Sequence, residues 1–280
     1  MTLVLSINSI KGGTLKTTNA VNLASCFADI GYRTLLVDMD PQGNATAYLG
    51  VDEGECESTI TNLLIPEGSF QYQHKELEDV IVPIKENLYL IPSNLDLNDA
   101  IDFIPQLCPR PFEVLANILA SPIVQELFDI VFLDNSPSWD ILTKNCVYAA
   151  DYVIGTSTFE YLSLKGIDFL IKKLPEVKKI NTNLEYLGTI GGKATRSNHF
   201  KEVKQNLEDN FDLLKPIIPT GVDAADSVVE GISVNEYNYS GKVAVAYREL
   251  TKTVVDLLVE HAGFENKLSK NKWKEFINNG

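Results

Sequence analysis

Residues 8–18 read N-S-I-K-G-G-T-L-K-T-T. An apolar run at 3–7 precedes this stretch, and helical spacing follows it. Val21, Ala24, Cys26, Phe27 and Ile30 are apolar, and Gly31 stands where a helix C′ residue belongs. A glycine-rich turn between a buried strand and a helix is a place where phosphates bind. The helix N-terminus offers free N–H groups and partial positive charge. Gly12 and Gly13 let the backbone curl so that its N–H groups face inward. Lys16 would then reach the phosphates, and the Thr17 hydroxyl would ligate Mg²⁺. The general phosphate-loop pattern wants glycine where Ile10 and Leu15 stand. At positive φ a leucine would be strained by roughly 1–2 kcal/mol. At negative φ, with its side chain turned away from the phosphates, the loop survives without that cost.

Outward from the loop, residues 34–37 form a second apolar stretch running into Asp38, Met39, Asp40 and Pro41. Strand, loop, helix and strand in this order predict a parallel pair with a right-handed crossover. The alternation continues. Strands are expected at 87–91, 129–134, 152–154, 184–190 and 216–218. Helices are expected at 112–128, with an interruption at Pro122, and at 161–173, 200–207 and 243–261. Ile130, Val131, Phe132 and Leu133 are apolar without alternation, as in a parallel strand covered on both faces. No repeat or low-complexity tract divides the chain. The expected architecture is a single doubly wound α/β domain, 1–262, with a mostly parallel sheet flanked by helices. A lysine-rich tail, 263–280, follows it.

The segment K-G-G-T-L-K-T-T at 11–18 resembles the deviant Walker A motif of the ParA/MinD/Soj ATPases, K-G-G-x-G-K-T-T. The stretch L-L-V-D-M-D-P-Q-G-N-A-T at 35–46 is similar to that family's Walker A′ segment. F-D-I-V-F-L-D-N-S-P-S at 128–138 is similar to its Walker B segment, which usually ends D-x-P-P-S. Phe159-Glu160-Tyr161 with Gly166, and Ile218-Pro219 with Gly231 and Tyr237, fit later landmarks, so the resemblance spans about 2–262. The short Soj-like group fits best, because the chain begins at the first strand.

The resemblance implies a P-loop ATPase that uses ATP and Mg²⁺ and partitions plasmids or chromosomes. Lys11, Gly12, Gly13, Thr14, Leu15, Lys16, Thr17 and Thr18 would hold the nucleotide, with Pro219 and Thr220 also touching it. Thr17 and Asp134 would serve the metal. Asp40 would position the attacking water, and Asp38 would sit near Lys16 and the metal shell. Lys11 would cross to the partner's nucleotide in an ATP-bound homodimer and stabilise charge on the transferring phosphoryl group. Each residue alone has a plainer reading. Asp38 and Asp40 can cap a turn, Asp134 can cap a helix, and Lys11 can be a solvated lysine.

The resemblance further implies nonspecific DNA binding in the ATP state, stimulation by a ParB-like centromere-binding partner, and a nucleoid-associated place in the cytoplasm. The net charge of −14 over 280 residues excludes bulk attraction to nucleic acid. DNA contact must then use local cations, and the candidates are Arg196, Lys267, Lys270, Lys272 and Lys274. Thr220, Asp223 and Glu236 stand where the family often has basic residues, which weakens that surface. Two other readings of the tail remain, an interfacial membrane helix as in MinD relatives or a frayed solvated end. A MinD-like positioning ATPase and a non-hydrolysing ATP-sensing regulatory protein are the alternatives for the whole chain. The four cysteines are far apart and read as reduced thiols. No signal peptide and no membrane-spanning run is evident.

Overall fold

The computed structural model describes residues 2–52, 54, 56–65, 73–193 and 199–278. Eight strands form one sheet in the order β3-β4-β2-β5-β1-β6-β7-β8. At its centre lie β1 (Leu3–Asn8), β5 (Ile130–Asn135) and β6 (Tyr152–Ser157), with β1 parallel to both neighbours. On one side follow β2 (Thr34–Met39) and β4 (Leu88–Ile91), both parallel, then the antiparallel edge strand β3 (Val82–Lys85). On the other side lie β7 (Glu185–Gly192) and β8 (Leu213–Ile218). The chain leaves β1 for one half of the sheet and later fills the other. The carboxyl end of β1 is therefore a topological switch point, the usual crevice for a ligand.

The central strands have no exposed face. Leu3, Leu5 and Ile7 point into one apolar cluster, while Val4 between them points into a second. Leu36 and Phe132 join the first cluster, and Leu35, Val37, Val131 and Leu133 join the second. The period-2 geometry of a strand sends neighbours to opposite faces, so helices on both sides make an unbroken apolar run the stable choice. The helix α1 (Lys16–Asp29) covers the first face together with α12 (Lys242–Ala262). Across the sheet, α4 (Leu97–Leu107), α7 (Ile141–Ala149) and α8 (Tyr161–Val177) cover the second.

The stretch expected as one helix at 112–128 is two, α5 (Val114–Leu119) and α6 (Pro122–Leu127). Pro122 starts the second at its first position, because its ring blocks continuation and its missing N–H is not needed there. The tail is ordered. Its helix α13 (Lys270–Asn278) buries Trp273, which is 3% exposed, and Phe264 stacks on Tyr32 with ring centroids 4.8 Å apart. A frayed end is thereby corrected, since Phe264, Leu268, Trp273 and Phe276 give the tail an apolar face that packs on the first cluster. The fully buried Arg248 of α12 donates through Nη2 to the Ile277 carbonyl at 3.0 Å and through Nη1 to Asn235 Oδ1 at 2.6 Å. Among the described residues no helix is long and apolar enough to cross a membrane.

Removal of the Trp273 ring leaves a cavity between α13 and α12. Trp273→Ala is expected to destabilise the protein by about 3 kcal/mol, the lower end for a buried tryptophan. Urea unfolding followed by far-UV circular dichroism checks this, and an unchanged midpoint would show that the tail is not docked in solution.

Candidate functional site

The loop between β1 and α1 closes over the carboxyl edge of the sheet. An added Cβ at Gly12 or Gly13 would meet nothing within 4 Å, so the space above both backbones is open. Gly13 sits at φ 74°, a conformation that favours glycine. The Thr14 hydroxyl donates to the Lys11 carbonyl at 3.0 Å and accepts from Thr156 Oγ1 at 3.2 Å, which pins the loop to β6. Thr14 thus serves the loop's shape with its side chain. Lys11 pairs with Glu160 at the start of α8.

Leu15 takes the left-handed conformation, φ 68° and ψ 22°, as the N-cap of α1. The strained alternative of the two expected for this position is therefore realised in the backbone. Its side chain nevertheless leans toward β7. A Cβ added at Gly192 would collide with Leu15 Cδ1, so the bare glycine makes room for the leucine. The leucine thus stands in the glycine's conformation while its branched end lies over Gly192.

Beneath the loop three carboxylates converge. Asp38 of β2 and Asp134 of β5 are register partners and fully buried. Asp38 Oδ2 accepts from the Thr46 amide at 2.9 Å and the Thr46 hydroxyl at 2.8 Å, and Oδ1 accepts from the Asp40 amide at 3.1 Å. Asp38 was expected beside Lys16 and the metal shell. Its register places it beside Asp134, and its oxygens hold Asp40 and the short helix α2 (Asn44–Tyr48), which makes it a positioning residue. Asp40 in turn accepts from the Gln42 amide at 3.0 Å through Oδ1. Neither oxygen of Asp134 has a hydrogen-bond partner among the described residues.

Burial, opposed by its hydrogen bonds, raises Asp38 from the usual 3.8 to about 6. Burial and then the Asp38 carboxylate push Asp134 well above the usual range. The Thr17 hydroxyl opposes this shift without completing a hydrogen bond. Lys16, only 7% exposed, is lowered by burial, while Asp134 and Asp40 pull it back up. The cluster lacks positive charge for its depth. Two bare carboxylate oxygens near a threonine hydroxyl suit a hard cation that prefers oxygen and keeps its own waters, so the donors fit Mg²⁺.

The loop opens on a cavity of about 440 Å³ that brings together Gly12, Gly13, Lys16, Thr17 and Asp40. Thr14, Leu15 and Thr18 also line it. Pro219 and Thr220, expected to touch the ligand, follow the end of β8 and do not line this cavity. Lys193 and Val228 line it instead, as do Tyr48 and Asn44. Val228 belongs to α10 (Asp223–Val229). Gln42, Asn44 and Tyr48 lie in and just after the P-Q-G-N-A-T segment, whose spacing was the available signal; Lys193 and Val228 carried none. Tyr48 is held from both sides, accepting from Asn22 Nδ2 and meeting Ser227 Oγ, each at 3.0 Å.

Of the cations expected on a DNA surface, Arg196 lies outside the described residues. Lys267 is spent within the fold, donating to the Gly31 carbonyl and Asp129 Oδ2 at 2.7 Å each. Lys270, Lys272 and Lys274 are exposed on α13. Tyr32 and Asp129 precede β2 and β5, so the tail sits at the amino edge of the sheet, opposite the cavity.

Residues 2–186 match the family described as an AAA domain. The chain is 32% identical over 262 residues to the sporulation initiation inhibitor protein Soj of Bacillus subtilis, covering 90% of this chain and 97% of that one. It is 32% identical over 258 residues to the chromosome-partitioning ATPase Soj of Thermus thermophilus, covering 90% and 94%. The chain belongs to the ParA/MinD family. A solved relative of this ParA/MinD protein is cobyrinic acid a,c-diamide synthase from Mycobacterium smegmatis with bound ATP analog and magnesium. It is 28% identical, has a TM-score of 0.77, and the match covers 94% of this chain and 97% of that one. The eight-stranded, mostly parallel sheet is thus that of a P-loop NTPase.

The carboxylate cluster makes stability depend on pH. Asp38 binds its proton more tightly folded than unfolded, so between about 4 and 6 the folded state holds the extra proton and stability falls as pH rises. Without added Mg²⁺, Asp38→Asn is expected to flatten this fall by at most about 3 kcal/mol. Unfolding midpoints of both proteins across this range check it; parallel curves would contradict the raised value.

Proposed function

We propose that this ParA/MinD-family protein is an ATP-driven partition switch: it binds Mg²⁺–ATP, dimerises, binds DNA nonspecifically and is reset by hydrolysis that a ParB-like partner stimulates. The observation that carries the reading is the meeting of Lys16, Asp40 and the unpartnered Asp134 under an open glycine backbone, with Leu15 turned onto Gly192. A relative's site that holds an ATP analog and magnesium supports the ligand, and the Thermus relative's chromosome-partitioning role supports the process.

The geometry supports the following roles. The amides of the loop and the Lys16 ammonium hold the phosphates, and the buried position of Lys16 strengthens its field because little water screens it. Thr17 and Asp134 would hold the magnesium, which would neutralise charge on the phosphates. Asp40, fixed by Asp38 and Gln42, orients water for in-line attack. Lys11 leaves Glu160 to meet the nucleotide of a second copy. Such a site hydrolyses slowly until its last cation arrives. A switch needs that delay, because the dimer must persist long enough to bind.

Lys16→Ala is expected to lower ATP turnover by about 100-fold or more and to keep the protein at its nucleotide-free mass when Mg²⁺–ATP is added. Phosphate release and light scattering after size exclusion read these two effects. Undiminished turnover would remove Lys16 from the site.

DNA binding is assigned to the exposed lysines of α13 and to Arg196. Because the chain is strongly acidic, the contact is local and salt-sensitive. Replacing Lys270, Lys272 and Lys274 together by alanine is expected to weaken ATP-dependent binding to random duplex about tenfold at low salt. A gel shift with unchanged affinity would move the surface away from the tail.

A further inference from the structure

The sequence assigns Lys193 no role of its own, yet it lines the same cavity as Lys16 and Thr17. It stands at φ 49°, in the left-handed region that side-chain-bearing residues seldom adopt. Such strain persists only where the surroundings enforce it, and it gathers at binding sites. The residue before Lys193 is tightly placed. Gly192 ends β7 directly under Leu15, and a Cβ there would collide with Leu15 Cδ1. The missing side chain lets β7 come up against the loop, and the next residue turns sharply at the cavity's rim. Lys193 is exposed and has no carboxylate within ion-pair distance among the described residues, whereas Lys11 pairs with Glu160. An unpaired ammonium at the rim of a phosphate cavity awaits an anion.

The strand order says which part of the ligand it meets. Asp40 follows β2 and Asp134 ends β5, on one side of β1. Lys193 follows β7, on the other side. The metal and the terminal phosphate belong with the carboxylates. We infer that Lys193 is a phosphate-binding residue for the inner, nucleoside-side phosphates, which ATP and ADP share, and that the Leu15–Gly192 contact sets its reach. This inference rests on the nucleotide reading above.

The test is equilibrium titration of the full-length protein with fluorescently labelled ATP and ADP in Mg²⁺, at low and moderate salt. Lys193→Met is expected to weaken both nucleotides by the same factor, about tenfold at low salt and less at moderate salt. Lys193→Arg is expected to restore most of the loss, and thermal melting of the three proteins is expected to coincide. Unchanged binding by Lys193→Met overturns the inference while leaving the nucleotide reading intact. Weakening confined to ATP also overturns it, because the terminal phosphate would then be the contact. A wild-type protein that takes up neither nucleotide overturns both readings.

Discussion

Two buried carboxylates side by side on adjacent parallel strands are the constraint from which the rest of the site follows. Asp38 and Asp134 share a register level of β2 and β5 with no exposed surface. Burial raises the proton affinity of both, and a neighbouring carboxylate adds to it, Asp38 for Asp134 and Asp40 for Asp38. The fold answers this differently for each. Asp38 is quieted by three donors from Thr46 and Asp40, and it spends its charge in holding α2 and Asp40 in place. Asp134 is left bare, so its demand is passed on to whatever positive charge enters the cavity. Lys16, itself reluctant to stay charged at that depth, is stabilised by the same carboxylates. The arrangement is a local excess of negative charge that a cation relieves.

Leu15 shows how a motif can lose a glycine and keep its geometry. The requirement at that position is a left-handed backbone, which costs a leucine roughly 1–2 kcal/mol. The structure meets it by removing a side chain elsewhere, at Gly192, so that the leucine's apolar end has a surface to lie on. The substitution therefore belongs to two sites far apart in sequence.

That pairing also marks the limit of what the sequence discloses. The strands β1, β2 and β5 were legible because strands covered on both faces are written as unbroken apolar runs, and the loop was legible because glycine, lysine and threonine stand between a strand and a helix. The edge strand β3 was not, since Val82–Lys85 carries a proline and mixed exposure with no alternation to read. The helix α7 was missed although Asp140 caps it through the amides of Leu142 and Thr143, because its short polar-apolar mixture gives no clear stripe. In the site, Lys16, Thr17, Asp40 and Asp134 lie close to one another, while Lys11 is turned to Glu160. Asp38's true partners, Thr46 and Asp40, and the absence of Pro219 and Thr220 from the cavity depend on how β2 and β8 end in space. Lys193 reaches the cavity through strand order, and Val228 through the docking of α10 against Tyr48.

Tyr48 ties the cavity wall to helices that are remote in sequence. Its hydroxyl joins Asn22 of α1 to Ser227 of α10, and Asn22 Oδ1 accepts from the Val234 amide at 2.8 Å. Gly50 and Gly231 meet backbone to backbone just beyond. The helix that begins at the phosphate loop and the helix that supplies Val228 are thus fastened through one phenol. Val222 and Val229, 74% and 85% exposed, stand at the two ends of α10, so the apolar surface outside the cavity and the cavity's own wall rest on the same hydroxyl.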